Sequence, residues 1–235
     1  MHPLHFKPDA EPARPALVAA LNLGGFASLC ERPDAGTLLN RYLSHYFQVL
    51  DLAFVDAWRD HFRPPGSLVQ VRPPDFMKYT GDGALLFWFR TAEQELQGDF
   101  THAVIQALRH FQQTLPGQVA LWEEIWTAPG LPRSVRIGLT SGPVHPLRTG
   151  ALRIFAESVD YAGQAINRAV WLQNHCPAVG FLMDAALAPA GAEWCALSAR
   201  EMRGGRATSV AAFRVDYERA HAADPAVLTA LPAGA

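Results

Sequence analysis

Apolar residues along the chain follow two spacings, one typical of buried strands and one of amphipathic helices. The segment from Pro15 to Leu23 is a short apolar run, which predicts a buried strand ending at Gly24 and Gly25. From about Gly36 to Phe62 the apolar positions recur at three- and four-residue steps, which predicts a helix. The sequence RPPGS at 63–67 ends that helix.

A hairpin comes next. Residues 68–79 and 84–90 are predicted strands around the tight turn Gly81-Asp82-Gly83. An apolar stripe then predicts a helix over about 99–115, with Asp99 as its N-cap.

Residues 116–132 are too long for a simple turn, and we expect a connection that contains a short helix. Trp122 and Trp126 lie four residues apart there. For both we favour packing onto the domain surface or onto a dimer partner over stacking on a ligand.

The rest of the chain supplies further strands and a third helix. We expect the helix at 160–175, and strands at 133–140 (ending at Ser141-Gly142), 180–183, 193–197 and 208–215. This order is the ferredoxin-like βαββαβ plan with additional strands and helices, an α+β fold of the α/β sandwich type. We predict a flexible N-terminal arm at 1–14, one domain at 15–217 and a C-terminal tail at 218–235.

Composition narrows the function classes. The 235 residues carry a net charge of -2, which argues against a nucleic-acid partner because phosphate backbones require a basic face. No apolar run is long enough to predict a membrane span, and the N-terminus has no signal-peptide core. The three cysteines are widely spaced, so we expect three buried free thiols and a cytoplasmic setting.

Five fragments along the chain resemble one known family in matching order. The chain is similar over about residues 14–217 to the catalytic domain of class III adenylyl and guanylyl (nucleotidyl) cyclases. The fragments are ALNLGGFA at 20–27, KYTGD at 78–82, RIGLTSG at 136–142, DYAGQAINRAVWL at 160–172 and RGGR at 203–206.

The resemblance implies transfer of a phosphoryl group, in which the ribose 3′-hydroxyl of a nucleoside triphosphate attacks the α-phosphate. It implies two ions, Mg²⁺ or Mn²⁺, held by two aspartates when nucleotide is bound. Asp82 matches the second aspartate, whereas Asn22 replaces the first and offers one uncharged oxygen. The backbone of Leu23-Gly24-Gly25-Phe26 binds phosphates or only forms a tight turn, and both interpretations stay open.

The resemblance also implies a head-to-tail dimer in which a second subunit completes each site. Lys78 and Asp160 match the pair that binds the adenine edge, although Asp160 also suits a helix N-cap. Asn167, seven residues later, matches the asparagine that orients the ribose and is expected two turns along the same helix. Arg203 and Arg206 match a basic turn that holds the terminal phosphates, and a solvated turn is an equal alternative.

The position expected to hold the transition-state arginine is Trp171, which has one N–H donor and no charge. Arg168 is expected to point away from Trp171 on the helix and not to replace the arginine. We therefore expect a homodimer that binds a nucleoside triphosphate with impaired or lost cyclisation. Two alternatives are an active cyclase with a changed site, including one for a pyrimidine nucleotide, and one subunit of a heterodimeric cyclase.

Overall fold

The fold is built around one strand whose side chains are buried on both faces. The computed structural model describes residues 11–59, 72–90, 98–149, 158–176, 180–190, 193–200, 207–222 and 228–230. Strand β1 runs Arg14–Gly24, and every residue from Ala16 to Leu23 is buried. The predicted first strand is therefore confirmed. It is buried on both faces because it lies inside the sheet, which explains its continuous apolar sequence.

The described strands that follow β1 are β2 Phe76–Tyr79, β3 Gly83–Phe89, β4 Ser134–Thr149, β5 Ser158–Ala162, β6 Phe181–Asp184, β7 Trp194–Arg200, β8 Ala207–Phe213 and β9 Thr229–Ala230. They form a single sheet with β1, which lies between β3 and β4. The order is β2-β3-β1-β4-β6-β8-β7-β9, and β5 pairs with the far part of β4. The first four strands of this order are antiparallel and give the predicted ferredoxin-like core.

Helices cover both faces of this sheet. The described helices are α1 Phe26–Cys30, α2 Ala35–Arg59, α3 Gly98–Trp126, α4 Gln164–Asn174 and α5 Arg214–His221. The long helices α2 and α3 pack together over one face, where Tyr42, Tyr46 and Phe111 are buried. Helix α4 covers the opposite face of β1 and β4 through Ala165 and Ala169.

The predicted connection at 116–132 is wrong for its first part, because α3 continues through Pro116 to Trp126. A proline removes one hydrogen bond from a helix and usually ends it. Here Leu115, Val119 and Trp122 are buried, so tertiary packing holds the helix together across the proline. Trp122 also stacks on the ring of Trp126, with centroids 5.6 Å apart.

Two predicted boundaries near the end of β4 are also wrong. Strand β4 continues past Gly142 to Thr149, and residues 158–162 pair with 145–149 as β5. Asp160 therefore lies on a strand and not at the start of a helix, and α4 begins only at Gln164. The cause is long-range: strand pairing of 158–162 with β4 outweighs the helical pattern that follows it.

The three cysteines differ in burial. Cys176 is buried as predicted, but Cys30 is exposed and Cys195 is partly exposed.

Helix α5 follows β8 and was not predicted. Its Tyr217 is buried and donates a hydrogen bond to the carbonyl of Leu228 at 3.0 Å. The limits of the domain at residues 15 and 217 stay a prediction.

Among the helices that the structure describes, none combines the length and the hydropathy needed to cross a bilayer.

Candidate functional site

The turn of the β2–β3 hairpin, which contains Asp82, contacts the end of β1. The amide of Leu23 donates a hydrogen bond to the carbonyl of Asp82 at 2.7 Å. A side chain at Gly83 would place its Cβ 1.9 Å from the carbonyl oxygen of Leu21, so only glycine fits this approach. Gly81 has φ of 98°, a conformation that glycine adopts without strain. The two glycines of the GDG turn therefore have geometric causes, and they bring Asp82 beside Asn22.

Asn22 lies between a carboxylate and a guanidinium. In the sheet register it faces Gly83 on one side and Arg136 on the other. Its amide nitrogen donates to the carboxylate of Asp82, and its amide oxygen accepts from Arg136 at 2.5 Å. Asn22 is 8% exposed and Asp82 is exposed, so water has little access to the amide and reaches the bridge from the side of the carboxylate. We call this group the Arg136–Asn22–Asp82 bridge.

The bridge does not fit a pair of divalent cations. Such ions prefer several anionic oxygen ligands, but Asp82 is the one carboxylate of the bridge and the amide oxygen of Asn22 already accepts from Arg136. In the described part of the chain, no three His, Cys, Asp or Glu side chains are grouped closely enough to hold a metal ion. The metal roles of Asp82 and Asn22 stay predictions.

The loop after β1 has a structural reason for both of its glycines. A Cβ on Gly24 would lie 2.3 Å from the hydroxyl of Ser134, and Gly25 has a left-handed φ of 87°. Leu23 and Phe26 on either side are buried. The tight-turn interpretation is sufficient to explain this loop, and its contact with phosphates stays a prediction.

The predicted base-binding residues meet on one exposed surface. Lys78 on β2 donates a hydrogen bond to the carboxylate of Asp160 on β5. The other carboxylate oxygen accepts from the amide of Tyr161 at 2.8 Å. The side chains of Lys78 and Asp160 are 44% and 37% exposed. Burial raises the pKa of the neighbouring Tyr79 phenol, and the nearby Cys30 and Asp82 raise it further.

A cleft of about 740 Å³ lies beside α4, and Asn167 and Trp171 line it. Asn167 is exposed on its wall, and Trp171 is half-buried there. The ring of Trp171 stacks on His175, with centroids 4.3 Å apart and an interplanar angle of 29°. The main-chain oxygen of Trp171 lies 2.9 Å from Nδ1 of His175, so the two residues form one unit on the helix.

Arg168 lines the same cleft, contrary to the expectation that it points away from Trp171. Its Nε donates to Asp184 at 2.9 Å, and a terminal nitrogen donates to Thr208 at 2.6 Å. The guanidinium carbon lies 4.6 Å from the centroid of the Trp171 ring. Residues three apart on a helix are neighbours and not opposites, which is why the expectation was wrong.

Two functional candidates were missed in the sequence. Arg136 lies within the RIGLTSG fragment, and only the pairing register of β1 with β4 shows that it reaches Asn22. Asp184 had no motif around it, yet Thr140 and Arg168 both donate to its carboxylate. The predicted phosphate residues Arg203 and Arg206 lie outside the described residues.

Comparison with known proteins supports the fold through structure and not through sequence. The sequence matches no protein-family model, and a comparison with curated proteins finds no similar sequence. The guanylyl cyclase Cya2 has 14% identity and a TM-score of 0.62, over 87% of this chain and 93% of that one. The adenylyl cyclase CyaB from P. aeruginosa has 15% identity and a TM-score of 0.58, over 87% and 97%.

A third solved structure, the adenylate/guanylate cyclase/hydrolase from Silicibacter pomeroyi, has 19% identity and a TM-score of 0.55, over 87% of this chain and 98% of that one. The chain therefore has the fold of class III adenylyl and guanylyl cyclase catalytic domains, and the predicted α+β fold class is confirmed. Identities this low establish the fold and leave the activity open.

Proposed function

We propose that this chain is a cytoplasmic class III nucleotidyl cyclase-like domain that binds a nucleoside triphosphate as a head-to-tail homodimer, with impaired or lost cyclisation. The observation that carries the proposal is the difference between the two halves of the site. The half for base and ribose keeps Lys78, Asp160 and Asn167, whereas the positions for catalysis hold Asn22 and Trp171.

The Lys78–Asp160 pair suits an adenine edge. An ammonium group donates to a ring nitrogen, and a carboxylate accepts from an exocyclic amine. In the free chain the two groups bond to each other on the surface, and such exposed pairs contribute roughly 0–1 kcal/mol. Replacing this contact by a base therefore costs little free energy. The preference for ATP comes from the match of the ammonium and the carboxylate to the adenine edge.

Cyclisation requires positive charge beside the phosphorus, and Trp171 supplies none. Its ring is packed against His175, and the neighbouring Arg168 is bonded to Asp184. Losing one preorganised donor lowers a rate by roughly 10²–10³ in comparable sites. Binding is expected to survive this loss because the base and ribose contacts are made elsewhere.

Exposed apolar residues on β2 support a dimer. Met77 and Tyr79 are 47% and 45% exposed, and because they lie two residues apart on the strand they share one face of it, the face opposite to Lys78. Large apolar side chains grouped on a surface are typical of an interface.

The difference between the two halves of the site equally favours a second candidate, a heterodimer in which another cyclase subunit supplies the metal-binding aspartates.

The test combines nucleotide binding with a product assay. Titration calorimetry is expected to show ATP binding that Lys78→Ala weakens about tenfold, the loss of roughly one charged hydrogen bond, while the exposed Arg219→Ala leaves it unchanged. Mass spectrometry with ATP, GTP, CTP and UTP, each with Mg²⁺ and Mn²⁺, is expected to find no cyclic product. Turnover within the ordinary enzyme range of about 1–10³ s⁻¹, lost in Asp82→Ala, would overturn the proposal, and so would the absence of nucleotide binding.

A further inference from the structure

We infer that the Arg136–Asn22–Asp82 bridge takes the place of divalent metal in this chain, so that the fold and the nucleotide-facing end of β1 are independent of Mg²⁺ and Mn²⁺. The inference deepens the proposed function, on which it rests for the identity of the two positions. It concerns the state of the protein before any nucleotide binds.

The side chain of Asn22 is already engaged in hydrogen bonds within the protein. Each polar end of the Asn22 side chain has a protein partner, Asp82 for the amide nitrogen and Arg136 for the oxygen. A cation would have to break the bond to Arg136 to reach that oxygen. It would then face an amide, which is a weaker ligand for a hard cation than a carboxylate.

The charges of the bridge also disfavour a metal ion. The bridge contains one carboxylate and one guanidinium, which balance each other around a neutral amide. With an aspartate at 22, a buried carboxylate would lie beside the exposed carboxylate of Asp82, and the two would repel each other unless a cation lay between them. The asparagine removes the excess negative charge that attracts a metal ion.

The bridge also connects more of the sheet than a metal ion would. Asn22 lies on β1, Asp82 in the turn after β2, and Arg136 on β4, so the bridge joins three neighbouring parts of the sheet. A metal held by two aspartates would join only two of them, β1 and the hairpin. The observed bonds therefore fix the hairpin to the sheet without an ion.

The experiment measures thermal unfolding of the nucleotide-free chain in EDTA and in millimolar Mn²⁺. The wild type is expected to shift by less than about 1 °C. Asn22→Asp is expected to unfold several degrees lower in EDTA and to recover by about 5–10 °C in Mn²⁺, the shift expected for a domain of this size at roughly 100-fold excess over Kd. The matched control Asn40→Asp adds the same charge on the exposed side of α2 and is expected not to respond.

Two results would overturn the inference. One is a wild-type shift in Mn²⁺ that disappears in Asp82→Asn, because the pair would then bind metal as it stands. The other is an Asn22→Asp protein that folds and ignores Mn²⁺, because the asparagine would then not be what excludes the ion.

A second measurement keeps the inference testable if Asn22→Asp does not fold. Titration of the wild type and of Asp82→Asn with Mn²⁺, followed by electron paramagnetic resonance, is expected to give the same free-Mn²⁺ signal for both proteins. A site present in the wild type and lost in Asp82→Asn would overturn the inference. Neither measurement contains nucleotide, so a failure of nucleotide binding would defeat the proposed function and leave the result for the bridge intact.

Discussion

The central carbon of the Arg168 guanidinium lies 4.6 Å from the centroid of the Trp171 ring. This distance is within the range of a cation–π contact. The same guanidinium reaches Asp184 on β6 and Thr208 on β8, so one side chain connects α4 to two strands and to the wall of the cleft.

Replacing Arg168 by alanine is expected to destabilise the protein. The change removes hydrogen bonds to Asp184 and Thr208 and leaves a half-buried carboxylate with less compensation. Bonds to charged groups contribute about 1.5–3 kcal/mol each in favourable cases. Because Asp184 is still 27% exposed, we expect a total loss of about 1–3 kcal/mol in the free energy of unfolding, measured as a shift in the urea midpoint.

Arg219→Ala is the matched control for this prediction, because Arg219 is exposed near the end of α5. Surface substitutions of this kind change stability by less than about 0.5 kcal/mol. Equal midpoints for the two variants would show that Arg168 does not hold α4 to the sheet.

The proposed function predicts that placing the expected residues at both positions, Asn22→Asp and Trp171→Arg, gives some cyclisation. Trp171→Arg returns a guanidinium to the cleft, and Asn22→Asp returns a second carboxylate beside Asp82. Each group is expected to contribute roughly 10²–10³ in rate, so we expect product above background only in the double variant. The measurement is the yield of cyclic nucleotide from ATP with Mn²⁺.

The control pairs Asn22→Asp with Trp171→Gln, which changes the same position without adding charge. Product from that control would mean that removing the indole, and not adding the guanidinium, releases the activity. The double variant should also lose its product when Asp82 is changed to alanine.

Two tyrosines one helical turn apart on α2 offer a test of buried polarity. Tyr42 donates a hydrogen bond to the carbonyl of Pro132 at 2.8 Å, whereas the buried hydroxyl of Tyr46 has no partner among the described residues. Tyr42→Phe is expected to lower the free energy of unfolding by about 1 kcal/mol, and Tyr46→Phe to leave it unchanged or raise it. Each serves as the control for the other, and a larger loss in Tyr46→Phe would contradict the described packing.

The same residues give the protein an alkaline limit. Burial raises the pKa of both phenols, and the effect is large for Tyr46. The unfolded chain ionises its tyrosines at about pH 10, while the folded chain keeps these two neutral. The contribution of these two phenols to the free energy of unfolding is therefore fully present below that pH and is lost as the pH rises above it. Tyr46→Phe should flatten the decline between about pH 10 and 12, whereas an unchanged slope would show that Tyr46 ionises freely in the folded state.

The cysteines should differ in reactivity. Burial raises the pKa of the Cys176 thiol to about 12, and it also raises the pKa of Cys195. Because the thiolate is the reactive form, the native protein at pH 8 is expected to label with iodoacetamide first at the exposed Cys30. Peptide mass spectrometry checks this, and Cys176 is expected to label only after unfolding. Early labelling of Cys176 in a Cys30→Ala variant would contradict its burial.

The parts of the fold that the sequence predicted are those with local signals. Strand β1 is a continuous apolar run, α2 has a regular stripe, and the GDG turn marks the β2–β3 hairpin. In each case the pattern along the chain and the packing in the fold agree, as they do in most well-formed proteins.

The errors arise where distant contacts decide. Pro116 suggests a helix end, but the buried residues on either side of it keep α3 continuous. Asp160 precedes a helical pattern, but the strand β4 lies beside it and extends it into β5. The Arg136–Asn22–Asp82 bridge depends on the register of two strand pairs, which no motif encodes.

The β2–β3 hairpin has a consequence for the shape of a binding curve. It carries Lys78 on one arm and Asp82 in its turn, only four residues further on. In a head-to-tail homodimer, each hairpin would present its lysine to one nucleotide and its turn to the other. Ligand at the first site would then restrain an element of the second, so saturation would depart from a simple hyperbola. In a heterodimer with one complete site the Hill coefficient would be one, and the steepness of binding would distinguish the two assemblies even where their midpoints coincide.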